Sequence, residues 1–168
     1  MLSLLLAFTL DASAQTPAST NMQRMGPVSS EHTGGDFGMG IAVGAPTGVT
    51  GKLWLEDWTS IQFSFGGALG QYNDVGATAD YLFQFRPFDV GDPEVSVQVH
   101  IGPGVHLGGN TEAGMTGRWL VGPRGVGGFS IMKRDMPFDL YMEIAPTIYL
   151  VDGAGWSMNG QIGLRHYM

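Results

Sequence analysis

From residue 137 to residue 150 the chain reads PFDLYMEIAPTIYL, and every even position from Phe138 to Leu150 is apolar. The odd positions include Asp139, Tyr141, Glu143, Thr147 and Tyr149. A period of two belongs to a β-strand with one greasy and one polar face. The same alternation recurs through residues 36–168. DFGMGIAVG (36–44) sets Phe37, Met39, Ile41 and Val43 on one face, and TGVTGKLWLE (47–56) opposes Val49, Leu53 and Leu55 to Thr50, Lys52, Trp54 and Glu56. WTSIQFSFGG (58–67) sets Ile61, Phe63 and Phe65 against Ser60, Gln62 and Ser64, and VGATADYLFQFR (75–86) sets Tyr81, Phe83 and Phe85 against Asp80, Gln84 and Arg86. VSVQVHIGPGVHL (95–107), the less regular GRWLVGPRGVGGFSI (117–131) and WSMNGQIGLRHYM (156–168) complete the series.

Eight such segments, joined by short turns rich in Gly, Asp, Asn and Pro, predict an antiparallel meander. An even count with both termini on one side is the rule of bacterial outer-membrane barrels, and about 10 residues is the length of a tilted span. The expected fold is all-β, an eight-stranded antiparallel up-and-down transmembrane β-barrel over residues 36–168.

Which face lies inside is decided by the charges. The polar faces carry Lys52, Arg86, Arg118, Arg124 and Arg165 together with Glu56, Asp80, Asp139 and Glu143, while the greasy faces carry none. That near balance arises in a chain of net charge −7. A solvated face needs no balance, but a narrow lumen does, because a buried charge must be paired or cost several kcal/mol. These nine residues are therefore expected to form a lumen charge network. The aromatic residues Tyr81, Phe83, Phe85, Trp119 and Trp156 fall where rim girdles are expected.

Composition agrees. Only 14% of the 168 residues are charged, against about 25% in ordinary soluble domains. Mean hydropathy is +0.07, and 27 glycines argue against a helical protein. No later segment is apolar for long enough to make a transmembrane helix. The absence of cysteine removes disulfides, thiol catalysis, Cys-ligated metal sites and a lipoprotein anchor. With a pI of about 4.8 and no basic cluster, no nucleic-acid partner is expected.

The chain opens MLSLLLAFTLDASAQ, a short apolar run before the small-x-small site Ala12-Ser13-Ala14. This is the form of a secretory signal peptide over residues 1–14, although no Lys or Arg precedes the run. Residues 15–35, without periodicity and rich in Ser, Thr and Pro, read as a disordered N-terminal segment. The C-terminal strand, Gln161 to Met168, has in register the polar-x-Gly-x-x-apolar-x-apolar signal read by the barrel-assembly machinery. It departs from that signal in His166 and in ending on Met rather than Phe.

GIAVGAPTGVTGKLWL, ADYLFQF, DLYMEIAPTIYL and NGQIGLRHYM together resemble an uncharacterised family of small bacterial outer-membrane β-barrel proteins. Its pattern is a Gly-x-Pro-Thr-Gly turn, then Lys-x-Trp, Ala-Asp-Tyr-Leu, Glu-Ile-Ala-Pro and a final Gly-x-Arg strand. The resemblance covers residues 36–168 and implies an OmpA/OmpX-like eight-stranded barrel, with no activity attached.

Candidate chemistry is sparse. GAPTGVTGKL superficially suggests a phosphate-binding loop, but Gly44 and Gly51 are seven residues apart, Leu53 follows Lys52, and a strand continues it. His100 and His106 share a face roughly 20 Å apart, too far to bind one metal by themselves. Asp139 and Glu143 lie about 13 Å apart along a strand, against about 5 Å in a retaining glycosidase, and read as acceptors for lumen arginines. No catalytic, cofactor-binding or metal residue is assigned, and no enzyme activity is expected. Pro103, Pro123 and Pro146 interrupt strands; Pro103 and Pro146 suit outer strand ends, whereas Pro123 has no equally good place.

The function expected is a structural or envelope-maintaining outer-membrane barrel, monomeric, exported, surrounded by lipid, with a lumen filled by side chains. The alternatives are a narrow channel or a lateral conduit for small apolar molecules across the outer membrane, and then a soluble lipocalin-like carrier, which would want an apolar interior. Short outward loops (45–48, 67–74, 109–115, 152–155) do not favour a large receptor surface.

Overall fold

A computed structural model describes residues 34–67, 74–89, 91, 94–110, 118–133, 135–151 and 155–168. The expected signal peptide and most of the expected N-terminal segment, residues 1–33, lie outside the described residues, as does the greater part of three predicted outward loops. The strands are β1 (Phe37–Gly44), β2 (Thr47–Glu56), β3 (Thr59–Gly67), β4 (Asp74–Gln84), β5 (Phe88–Asp89), β6 (Val95–Asn110), β7 (Arg118–Lys133), β8 (Phe138–Tyr149) and β9 (Gly155–Tyr167). They pair in the order β4-β3-β2-β1-β9-β8-β7-β6-β5, and a further β4–β6 pairing closes the sheet. All pairings are antiparallel. The two-residue β5 only edges β6 at Val97 and Ser96. The molecule is thus a closed eight-stranded antiparallel β-barrel.

The alternation that forms the strands also sorts their side chains. Along β8, Leu140, Met142, Ile144 and Ile148 are exposed, while Asp139, Tyr141, Glu143 and Thr147 are buried. The other long strands follow the same rule. The interior holds Thr50, Lys52, Gln62, Ser64, Asp80, Gln98, His100, Ser130, Gln161 and Arg165, and the exterior is a continuous coat of Ile, Val, Leu, Phe and Met. This inverts the usual arrangement of polar outside and apolar inside.

Both described ends of the chain meet at one end of the barrel, where Trp54 N donates to Asp36 O (2.8 Å) and Met168 N donates to Phe37 O (2.9 Å). Exposed Trp58 and Phe83 stack there at 5.8 Å. At the opposite end, GAPT turns β1 into β2. Thr47 Oγ1 donates to Gly44 O (2.7 Å) and accepts from Gly44 N (2.9 Å). Gly44 has φ of 142°, a conformation that other L-residues rarely adopt. The phosphate-loop look-alike is a hairpin turn.

The prolines sit at interruptions of the ladder. The β4–β6 register passes from Asp80↔Gly104 to Phe83↔Ile101, skipping Pro103. The β7–β8 register passes from Arg124↔Thr147 to Gly127↔Ile144, skipping Pro146. Pro103 and Pro146 therefore interrupt the wall within their strands and not at the rim. Pro123 lies in a further gap of the β7–β8 contact, between Arg124↔Thr147 and the bond that Leu150 N donates to Val121 O (2.9 Å), where it supplies no N–H.

Candidate functional site: the charged lumen

A lumen this narrow is shaped as much by what is missing as by what fills it. At Gly163, an added Cβ would lie 2.4–2.6 Å from Cε1, Cζ and Oη of Tyr141. The bare backbone of β9 lets that ring lie flat in the lumen, where Arg165 Cζ stands 3.6 Å from the ring centroid. Gly163→Ala is expected to push Tyr141 off its seat and destabilise the barrel by about 1–3 kcal/mol. Thermal melting of the folded form checks this; unchanged melting would show that the ring has slack.

Arg165 is the hub. Its Nη1 donates to Asp139 Oδ2 (3.4 Å), its Nη2 donates to Gln62 Oε1, and Nη2 lies 3.8 Å from Glu143 Oε1. Asp139 also accepts from Tyr167 OH (3.2 Å). Glu143 accepts from Gln62 Nε2 (2.7 Å) and Gln161 Nε2 (2.9 Å), and its Oε1 meets His100 Nε2 at 2.9 Å. Gln62 comes from β3, His100 from β6, Glu143 from β8 and Arg165 from β9, so the cluster ties opposite walls together. Lys52 completes it, its Nζ 4.2 Å from the centroid of the Trp54 ring.

A second pair stands apart, with Arg124 Nε 3.0 Å from Asp80 Oδ1, both side chains buried. Between pair and hub lies an apolar layer of Leu82, Val126 and Ala145. Leu82 is the inward residue between Asp80 and Gln84 and Ala145 the one between Glu143 and Thr147, while Val126 lies between Arg124 and Gly128. Towards the β1–β2 turn, Tyr149 OH meets Ser157 Oγ at 2.9 Å and Asn159 Nδ2 donates to Thr147 Oγ1 (3.1 Å). There a cavity of about 120 Å³ opens among Pro46, Val75, His106, Leu120, Tyr149 and Asn159.

Of the nine charges expected in the lumen, the structure brings in Lys52, Asp80, Arg124, Asp139, Glu143 and Arg165. Two are corrected. Glu56 is exposed, because a bulge between Trp54 and Glu56 shifts the register after Trp54 and carries the strand end out to the turn. Arg86 is exposed because β4 ends at Gln84, so the face assignment no longer applies two residues later. The side chain of Arg118 lies outside the described residues. The six that are buried balance, three cations against three carboxylates.

Sequence reasoning placed His100 only as lumen lining, whereas it is a direct partner of Glu143 across the barrel. Nothing local to β6 signals that contact. His106 is far from it in role, edge-on to Tyr149 with centroids 5.7 Å apart. Among the described residues no group of three or more His, Cys, Asp or Glu is placed to hold a metal ion.

A closed antiparallel β-barrel with a charge-paired polar interior and an apolar exterior is the class that this geometry defines. No protein-family model matches the chain, and no curated protein or solved structure matches it at a significant level.

Proposed function

We propose that the chain is an integral outer-membrane β-barrel of the OmpA/OmpX-like kind, with a side-chain-filled polar lumen and a structural, envelope-maintaining role. The inverted distribution of side chains carries this reading. Ile41, Phe65, Ile101, Ile144 and Ile148 are each more than half exposed, while Arg165, Lys52 and Asp139 are fully buried. In water such a coat would expose far more contiguous apolar surface than a soluble monomer tolerates. In a bilayer it meets lipid, and a closed barrel leaves no backbone edge unpaired. The apolar segment before Ala12-Ser13-Ala14 supports export, and the strand Gln161–Met168 supports delivery to the assembly machinery.

The lumen supports a sealed barrel and not a pore. Arg165 spans from Asp139 to Gln62 on the far wall, and the Leu82–Val126–Ala145 layer puts apolar surface across the path of an ion. Fractionation of expressing cells is expected to place the protein in the outer membrane. The unboiled protein is expected to run differently from the boiled form on a gel, and to give no steady large conductance in planar bilayers. Recovery from the soluble periplasm without detergent contradicts the membrane reading; a steady conductance contradicts the sealed lumen and favours a channel.

A further inference from the structure

The barrel wall is weakest in one row. Pro103 of β6 pairs with Gly125 of β7, and the adjoining registers place Tyr81 of β4 and Pro146 of β8 on either side of them. Neither flanking position forms a ladder pair. The β4–β6 ladder omits Tyr81 and Leu82, and the β7–β8 ladder omits Gly125 and Val126. A proline has no N–H to donate, and each proline nitrogen faces the strand from which its own is unzipped. The outward side of the row is open at Gly125, where an added Cβ would meet nothing within 4 Å. Its inward side is the apolar layer, with Leu82, Val126 and Ala145 at 0%, 2% and 2% exposure.

These three features coincide at one place, and nowhere else among the described residues does the lumen present apolar residues behind a doubly broken ladder. The polar hub lies on one side of this layer. On the other lie the Arg124–Asp80 pair and, beyond it, the cavity of about 120 Å³, whose lining residue Asn159 pairs with Ala145 of the layer. A cavity of 150 Å³ in another protein takes up benzene, so this one suits a single ring or a short chain. Pro46, Val75 and Leu120 give it apolar walls, and the neutral polar groups of Tyr149 and Asn159 give it hydrogen-bonding partners.

We propose that the row Tyr81–Pro103–Gly125–Pro146 is a lateral port that admits a small, neutral, mainly apolar molecule, about one ring in size, from the membrane into the lumen. The β6–β7 hairpin, held to its neighbours by interrupted ladders on both sides, is the element that yields. The proposal rests on the membrane reading above.

The chain has no cysteine, so single cysteines report cleanly. Val126→Cys probes the inner end of the row, and Ile144→Cys, exposed on the outer face, reports the lipid phase. Each is reconstituted in phosphatidylcholine vesicles and treated with N-cyclohexylmaleimide dissolved in the membrane, with N-pyrenylmaleimide, or with a charged aqueous methanethiosulfonate. Both cysteines are expected to react with the cyclohexyl reagent, and only the residue-144 cysteine with the pyrenyl one. Adding Pro103→Val and Pro146→Val, which restores two donors to the ladder, is expected to slow the cyclohexyl reaction at residue 126 about tenfold, because the opening equilibrium then favours the closed wall. The reaction at residue 144 should not change. Equal rates at residue 126 with and without the prolines overturn the port, since the reagent then arrives by another route. No reaction at residue 126 beside a normal one at residue 144 overturns it too. Reaction at residue 144 with the charged aqueous reagent alone means instead that the membrane reading has failed, and the port with it.

Discussion

Arg165→Ala is expected to cost the barrel about 3–5 kcal/mol, the usual penalty for removing one member of a buried ionic cluster. The side chain is fully buried and serves Asp139, Gln62, Glu143 and the Tyr141 ring together. Without it, Asp139 keeps Tyr167 OH as a neutral donor, while Glu143 keeps Gln62, Gln161 and His100. Two carboxylates then share a narrow space with no guanidinium between them. Arg165→Lys should recover little, because an ammonium cannot present the planar fork that reaches two walls. Arg86→Ala removes the same charge from an exposed position and should stay within about 0.5 kcal/mol of the parent. Denaturant titration of the folded form on unboiled gels measures all three. Equal midpoints for Arg165→Ala and Arg86→Ala would mean that the cluster contributes nothing.

The second large effect belongs to the outer face. Ile144 is 59% exposed in the middle of β8. An arginine there should cost about 2–4 kcal/mol if the site lies near the bilayer midplane. Glu56→Arg, at an exposed strand end beside a turn, should cost about 0–1 kcal/mol. The yield of folded protein in vesicles over a urea series measures the difference. Comparable yields for both variants would place Ile144 in water.

The eight long strands were legible because one face had to be apolar and the other polar along nearly every one of them, and a period of two cannot be mistaken over ten residues. The faces were legible for the same reason: Asp139 and Glu143 alternate with Leu140 and Met142, and they lie on opposite sides of the wall. Pairing was less so. Asp139 opposite Arg165 depends on one register between neighbouring strands, but Gln62 with Glu143 and His100 with Glu143 cross the lumen, and depend on closure and stagger accumulated around the ring. Face assignment failed where periodicity itself failed. The bulge after Trp54 turned Glu56 out, and the end of β4 at Gln84 released Arg86. The two-residue β5 is too short to carry a period at all. Pro123 made sense only once the β7–β8 ladder was seen to break beside it.

The most direct test of a polar-inside, lipid-outside barrel is a nitroxide scan along β8. Spin labels placed singly from Phe138 to Tyr149 in vesicles are compared for accessibility to oxygen, which concentrates in lipid, and to a water-soluble nickel chelate. The expected result is a period of two, with high oxygen accessibility at Leu140, Met142, Ile144 and Ile148, and low accessibility to both agents at Tyr141, Glu143 and Thr147. High nickel and low oxygen accessibility at the even positions would contradict it, for that greasy face would then be facing water.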